Sequence, residues 1–419
     1  MGALKKEKQK MPLWKRNLYA VWVTQFFSLV GFAFGVPILP YFIQELGITA
    51  PDTIKLYTGL MTMVPAVTLG LMAPIWGMAA DKFGKKLMMV RAMGFAFLVL
   101  LCLGISQNFT QILIIRFFQG MLTGTVTASF ALVAAGTPDN KMSYALGLIS
   151  SSIFIGNSMG LVLGGFAADI FGYRTSFIIG AAVMLVGFIW TLVMVKEIKD
   201  KKSAKPLQII NNDKQKMKGS WLSRNKVFIP VVATILPLIF IIRVGRTLSN
   251  PYIPLYVQEI RGVLDGSATI SGIIRAISSI AVAAAGVFLA RLGDRQNKIK
   301  LSAIFMGLGA IAAIPMFFTD SLLVFTIFHT LVFLAIGGVE PLLNSQASVS
   351  IPSEKRGVLF GIIAMVGSFG WAVSPAIGSF VSIRFSTKTI FLAFSVLLLI
   401  GALASLIVYY SEKKKKAVD

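Results

Sequence analysis

Seven ionisable side chains stand inside long apolar runs: Arg91, Arg116, Arg243, Arg246, Arg275, His329 and Glu340. A charge among hydrocarbon side chains is costly, so each needs a partner, a watered space or a function that keeps it there. Their types point to two kinds of chemistry. Arginine forks bind carboxylates and phosphates through paired hydrogen bonds. Glu340 is the only carboxylate well inside any run. Burial favours the protonated form of such a group and a nearby arginine favours the charged form, so a change of surroundings can load and unload a proton. Glu340 is therefore the leading candidate for a proton carrier, with Arg116 and His329 as candidate partners. The plainer alternatives are a structural ion pair at Glu340 and a hydrogen-bonded structural histidine at position 329.

Spacing groups these residues further. Arg116, Gln119, Gly120, Thr123 and Thr127 fall on one helical stripe. Arg243, Arg246 and Asn250 make a second, and Ser271, Arg275 and Ser278 a third. His329, Phe333, Glu340 and Asn344 make a fourth, because eleven residues is close to three turns. A polar stripe in an apolar helix faces protein or water rather than lipid. Candidate substrate contacts are Arg243, Arg246, Arg275, Asn250, Gln119 and Asn344. The buried ionisable set is mostly arginine, which favours an anionic or zwitterionic small molecule. Structural pairing or snorkelling of one or two of the arginines is the alternative.

The elements that position these residues must be membrane helices. Of 419 residues, 56% are hydrophobic and only 14% charged, a balance that cannot cover the surface of a soluble domain. A bilayer core of about 30 Å needs roughly 20 apolar residues per helix. Spans are expected at 17–45, 55–80, 87–107, 109–136, 142–168, 173–196, 227–259, 267–291, 299–318, 320–348, 356–383 and 388–410. The expected fold class is all-α integral membrane, twelve helices in two pseudo-symmetric six-helix bundles. The corresponding segments are a basic N-terminal stretch 1–16, a first bundle 17–196, a linker 197–226, a second bundle 227–410 and a basic tail 411–419.

The net charge of +23 does not signal a nucleic-acid partner, because of where it lies. Lysines and arginines fill the N-terminus, the middle linker, the tail Lys413 to Lys416 and every second short loop, while the alternate loops are nearly bare. This pattern places both termini in the cytoplasm. The tail is expected to sit near anionic membrane lipid.

The two halves repeat. At an offset of about 213, the stretch Asp81 to Lys86 faces Asp294 to Lys298. At 214, Pro138, Lys141, Gly147, Gly156 and Gly164 fall on Pro352, Lys355, Gly361, Gly370 and Gly378. A parallel repeat of this kind puts a substrate site between the halves near the midplane, reached from alternate sides by rocking.

The loop Gly77-Met-Ala-Ala-Asp81-Lys-Phe-Gly84-Lys85-Lys86, with Arg91 following, resembles the signature loop of the major facilitator superfamily. Pro74-Ile-Trp76-Gly77, Trp14 to Leu18, Pro37 to Tyr41, Arg116-Phe-Phe-Gln-Gly120 and Gly156-Asn-Ser-Met-Gly160-Leu-Val-Leu-Gly164 are similar to motifs of its twelve-helix drug:proton antiporter branch. Leu161 stands where that branch usually has proline, and Pro375 takes the matching place in the second half. The resemblance implies alternating access, export and proton coupling. Asp81 and Asp294 could cap neighbouring helices and pair with Lys85, Lys86, Arg91 and Arg295, which makes them candidate gate latches. Gly156, Gly160 and Gly164 line one face and invite close helix packing.

The functional expectation is a proton-coupled exporter of small molecules, of multidrug type, acting as a monomer in the cytoplasmic membrane. The alternatives are a dedicated exporter of an anionic metabolite such as a carboxylate siderophore, a lipid flippase, and a non-transporting sensor or scaffold. No enzymatic activity and no cofactor are expected. One histidine and one cysteine, Cys102, leave no zinc site of the usual kind and no internal disulfide, and there is no Walker loop.

Overall fold

The computed structural model describes residues 12–138, 141–197, 229–293, 295–351 and 356–418. The expected linker, apart from Glu197, and the first eleven residues lie outside this set. The described residues form helices α1 (Leu13–Phe34), α2 (Leu39–Glu45), α3 (Pro51–Phe83), α4 (Lys85–Ile105), α5 (Phe109–Leu122), α6 (Thr125–Gly136), α7 (Met142–Phe171) and α8 (Tyr173–Met194). The second half contributes α9 (Ile229–Leu248), α10 (Ile253–Arg261), α11 (Ser267–Gly293), α12 (Lys298–Phe318), α13 (Leu322–Ile336), α14 (Val339–Val349), α15 (Arg356–Arg384) and α16 (Thr389–Val418). Twelve spans are long and apolar enough to cross a bilayer. Large apolar side chains such as Leu71, Ile311 and Phe318 lie bare on the outside, as lipid-facing residues must.

Four spans are not continuous, where the sequence suggests unbroken helices. They are the first (α1 with α2), the fourth (α5 with α6), the seventh (α9 with α10) and the tenth (α13 with α14), one in every three. Each break falls on helix-breaking residues: Gly35 to Pro37, Thr123 and Gly124, Ser249 to Pro251, and Gly337 with Gly338. Gly124 takes φ +117°, a conformation that side-chain-bearing residues rarely adopt. Gly337 approaches α11 so closely that a Cβ there would lie 2.8 Å from the Val282 Cα. Broken backbone leaves polar groups that lipid cannot satisfy, so it belongs where helices line protein or an aqueous space. The break at 337–338 also changes one expectation. His329 and Glu340 stand on different helices, so no single stripe joins them.

The two halves meet at the end of the bundle away from the chain termini. There α3 pairs with α15, where Lys55 Nζ donates to the Ser382 carbonyl at 3.1 Å and Ser379 Oγ donates to the Lys55 carbonyl at 3.2 Å. α7 pairs with α11, where the Thr269 N–H donates to Asp169 Oδ2 at 2.8 Å. At the termini end the same four helices leave open space beside their glycines. Gly77 on α3, Gly147 on α7, Gly286 on α11 and Gly361 on α15 each have nothing within 4 Å of where a Cβ would stand.

Within the first half, Gly156, Gly160 and Gly164 of α7 lie against Phe26, Val30 and Phe34 of α1. A Cβ on Gly156 would come 2.7 Å from the Phe26 carbonyl oxygen, so the two backbones run in near contact.

Candidate functional site

The last two turns of α9 carry Arg243 and Arg246, and the first turn of α14 carries Glu340. The helix break at Gly337 and Gly338 turns Glu340 toward α9. Arg243 Nη2 donates to Glu340 Oε1, and Arg246 Nη1 donates to Glu340 Oε2 at 3.0 Å. One carboxylate is thus gripped on both oxygens by two guanidiniums, and it is 10% exposed. Arg243 finds room because Gly367 and Gly370 of α15 carry no side chain. A Cβ on Gly367 would sit 3.1 Å from its Cζ, and one on Gly370 would sit 3.0 Å from its Cβ. Asn250 closes the stripe, donating to the Arg246 carbonyl at 2.9 Å.

Beside this cluster lies a cavity of about 280 Å³ lined by Arg246, Glu340 and Asn344, by Val282 and Gly286 of α11, and by Phe154 of α7. Both halves therefore contribute to its wall. The side-chain oxygen of Asn344 is buried with no partner among the described residues. The cluster holds two cations and one carboxylate, and the cavity meets it through Arg246, Glu340 and the unused acceptor of Asn344. That wall offers a guanidinium, a carboxylate and an amide to a small molecule.

The other candidates are distributed. Arg116 on α5 is buried and donates to Gln119 Oε1 at 2.7 Å, a partner without charge. Gly120 packs onto Pro65 and Thr68 of α3, and the break at Gly124 moves Thr127 off the stripe. Arg275 on α11 is not brought to Glu340. It stands one turn from Ser278, whose hydroxyl meets His329 Nδ1 at 2.6 Å. His329 is fully buried between Phe325 and Phe333.

At the termini end, Arg91 lies over the Trp76 ring at 3.3 Å, and Trp76 Nε1 donates to the Met121 carbonyl at 2.7 Å. Gly84 takes φ +102° and frees the N-terminus of α4. The Lys85 and Lys86 backbone N–H groups donate to the two carboxylate oxygens of Glu197 at 3.1 and 2.9 Å. Lys86 Nζ donates to the Leu192 carbonyl at 2.9 Å. Glu197 thus does at α4 what the sequence suggested a signature-loop aspartate could do at a neighbouring helix. The side chain of Asp81 and the whole of Asp294 lie outside the described residues, and Arg295 is exposed.

Two features escaped the sequence reading. One is Glu197. The other is the pair of short helices α2 and α10. Leu39-Pro-Tyr-Phe-Ile-Gln44-Glu45 repeats as Ile253-Pro-Leu-Tyr-Val-Gln258-Glu259 at the 214 offset. Gln44 and Gln258 exchange two amide hydrogen bonds, each 2.8 Å. Tyr41 Oη donates to the Pro254 carbonyl at 2.6 Å and lies 3.1 Å from Ser271 Oγ. Extending the repeat into these helices would have exposed them.

The family model described as Major Facilitator Superfamily matches residues 21–375 and, in a second match, 236–419. The chain belongs to the major facilitator superfamily. Multidrug resistance protein MdtG of Klebsiella pneumoniae (strain 342) is 29% identical over 397 residues, 94% of this chain and 93% of the relative. The multi-drug resistance efflux pump PmrA homolog of Lactococcus lactis subsp. lactis (strain IL1403) is 29% identical over 410 residues, 97% of this chain and 98% of the relative. Among solved structures, a bacterial homolog to the human lysosomal transporter Spinster, inward-facing and occupied, superposes with a TM-score of 0.74 at 14% identity, covering 96% of this chain and 97% of that one. The nucleoside transporter NupG gives 0.71 at 14%, covering 95% and 99%. These two likenesses speak to the fold alone. The chain is a multi-pass membrane transporter of this superfamily, with multidrug efflux proteins among its relatives.

Proposed function

We propose that this transporter exports small molecules across the cytoplasmic membrane by alternating access, and that a proton carried at Glu340 couples the cycle. The observation that carries the proposal is the Arg243–Glu340–Arg246 cluster on the wall of a cavity shared by both halves. Protonating Glu340 removes the charge that both arginines grip. The grip would loosen, and with it the link between α9 and α14 beside the interface. Contacts that depend on a single proton can then favour one arrangement of the halves over the other.

The basic loops support an orientation with both termini in the cytoplasm, so the open space beside Gly77, Gly147, Gly286 and Gly361 would face inward. Asp81 and Asp294 are proposed as latches for the opposite state, in which this space closes. The multidrug relatives support export. A single chain supplies both walls of the cavity, which supports a monomer, and the basic tail would rest on anionic lipid.

A second reading is favoured by the charge of the cluster: the cargo is an anion or zwitterion, held by Arg243 and Arg246. Everted vesicles with an internal pH dye separate the two. A multidrug exporter gives proton release on addition of several lipophilic cations such as ethidium and tetraphenylphosphonium. An anion exporter answers only to carboxylates or phosphates. Arg243→Gln or Arg246→Gln should then abolish transport at normal protein levels, and unchanged transport would remove the arginines from the substrate site.

A further inference from the structure

Arg275 is the one intramembrane arginine whose neighbours suggest a second site. Its Nε and Nη1 are closed off from solvent and have no hydrogen-bond partner among the described residues. Among the described residues no carboxylate pairs with it. Glu340 is held by Arg243 and Arg246, Asp169 accepts from the Thr269 N–H, and Glu259 accepts from Thr387 Oγ1. A guanidinium kept in a membrane interior without an anion is among the costliest arrangements available to a side chain.

The surroundings define what would satisfy it. Ser278 Oγ donates to the Ile274 carbonyl at 2.9 Å, which uses its only hydrogen. Both Ser278 contacts are satisfied together when the imidazole donates from Nδ1 to the Ser278 hydroxyl, 2.6 Å away. In the neutral ring this leaves Nε2 as a bare acceptor, and Nε2 is buried without a partner among the described residues. Arg275 is the charged neighbour of this ring. The unused groups are thus two N–H donors bearing positive charge and one acceptor. One turn further along α11, Ser271 meets Tyr41 of the first half, so these groups lie just inside the closed end.

We infer that Arg275 and His329 form a second binding site, distinct from the Glu340 cluster, for an oxyanion that carries its own O–H, such as a hydrogen phosphate or a hydroxy acid. The charged oxygens meet Arg275 and the hydroxyl donates to His329 Nε2. The inference stands whether or not Glu340 carries the coupling proton. An anion one turn from the Tyr41 contact would add its binding energy to the state in which the halves are closed there.

The test is thermal unfolding of the purified full chain in detergent, titrated with inorganic phosphate at constant ionic strength. Sulfate, which strengthens burial non-specifically as phosphate does but carries no proton at neutral pH, is the control. Phosphate is expected to raise the Tm of the wild type by about 2 °C or more beyond sulfate. That excess should vanish in Arg275→Gln, shrink in His329→Asn, and persist in the Arg243→Gln, Arg246→Gln double variant. Without phosphate, Arg275→Gln should melt no lower than the wild type, because it removes a buried charge that has no partner. An excess that survives in both Arg275→Gln and His329→Asn overturns the inference. So does an excess lost in the double variant, phosphate no better than sulfate, or a phosphate-free Arg275→Gln that melts below the wild type.

Discussion

The closed end and the Glu340 cluster lie in the same molecule and are built on opposite plans. At the closed end each half gives a similar piece. Gln44 faces Gln258, and Glu45 holds Arg174 at 3.3 Å much as Glu259 is bonded by Thr387. Its inter-half contacts run mainly through amides, hydroxyls and backbone carbonyls, joined by Lys55 on the Ser382 carbonyl and Asp169 on the Thr269 N–H. At the cluster all three charges come from the second half. The first half offers Arg116 with the neutral Gln119 and Arg91 over the Trp76 ring, neither with a carboxylate among the described residues. Amide and hydroxyl contacts are worth about 1 kcal/mol each and re-form readily with water, which would suit the opening that the proposed alternating access requires. A gripped carboxylate is far more sensitive to a single proton. The repeat is kept at the closed end and abandoned for the charge.

The largest expected effect is at Glu340. Glu340→Ala leaves two guanidiniums without their carboxylate, and breaking a buried pair in this way costs about 3–5 kcal/mol. Arg116→Gln should cost clearly less, because Gln119 is no charge partner. Thermal unfolding of both variants measures the gap, and equal losses would erase the asymmetry between the halves. Next come the glycines of α7. Gly160→Val should cost about 1–3 kcal/mol by driving α1 and α7 apart. Gly147→Leu, on the open face of the same helix, should stay within about 0.5 kcal/mol. It should still stop transport, since it would block closure of the termini end. A Gly147→Leu protein with normal transport would show that this face never closes.

At the closed end, Gln44→Leu strands the Gln258 amide and should cost about 1–2 kcal/mol. The Gln44→Leu, Gln258→Leu double variant should cost less than the sum of the single ones, with a coupling of about 0.5–1.5 kcal/mol in a double-mutant cycle. Additive losses would mean that the two amides do not act as a pair. The smallest effect belongs to Glu197→Gln, which weakens the cap of α4 by about 0.3–1 kcal/mol and less so at high salt.

The membrane spans, the repeat and the superfamily were legible because they rest on apolar length, loop charge and a specific motif. Glu340 and the two arginines of α9 were legible because charge in an apolar run is rare. An ion pair at Glu340 was one reading of the sequence. Its meeting both Arg243 and Arg246 was not legible, since that depends on the turn at Gly337 and Gly338, and a continuous helix would have put His329 on the face of Glu340. Arg275 looked like a third member of one arginine set, because period alone does not say which neighbouring helix a stripe faces. Gln44 and Gln258 are ordinary residues until the pseudo-twofold brings them together. Glu197 lies at a span end where a charge needs no explanation.

The most direct test of the central claim is proton movement in proteoliposomes holding a pH dye, driven by a compound that gives a signal in the vesicle panel. Wild type and Glu340→Gln are compared at equal protein levels. The expected result is that the wild type couples substrate to proton movement, while Glu340→Gln still exchanges substrate across the membrane but moves no protons with it. Proton movement by Glu340→Gln equal to that of the wild type would contradict the role given to Glu340.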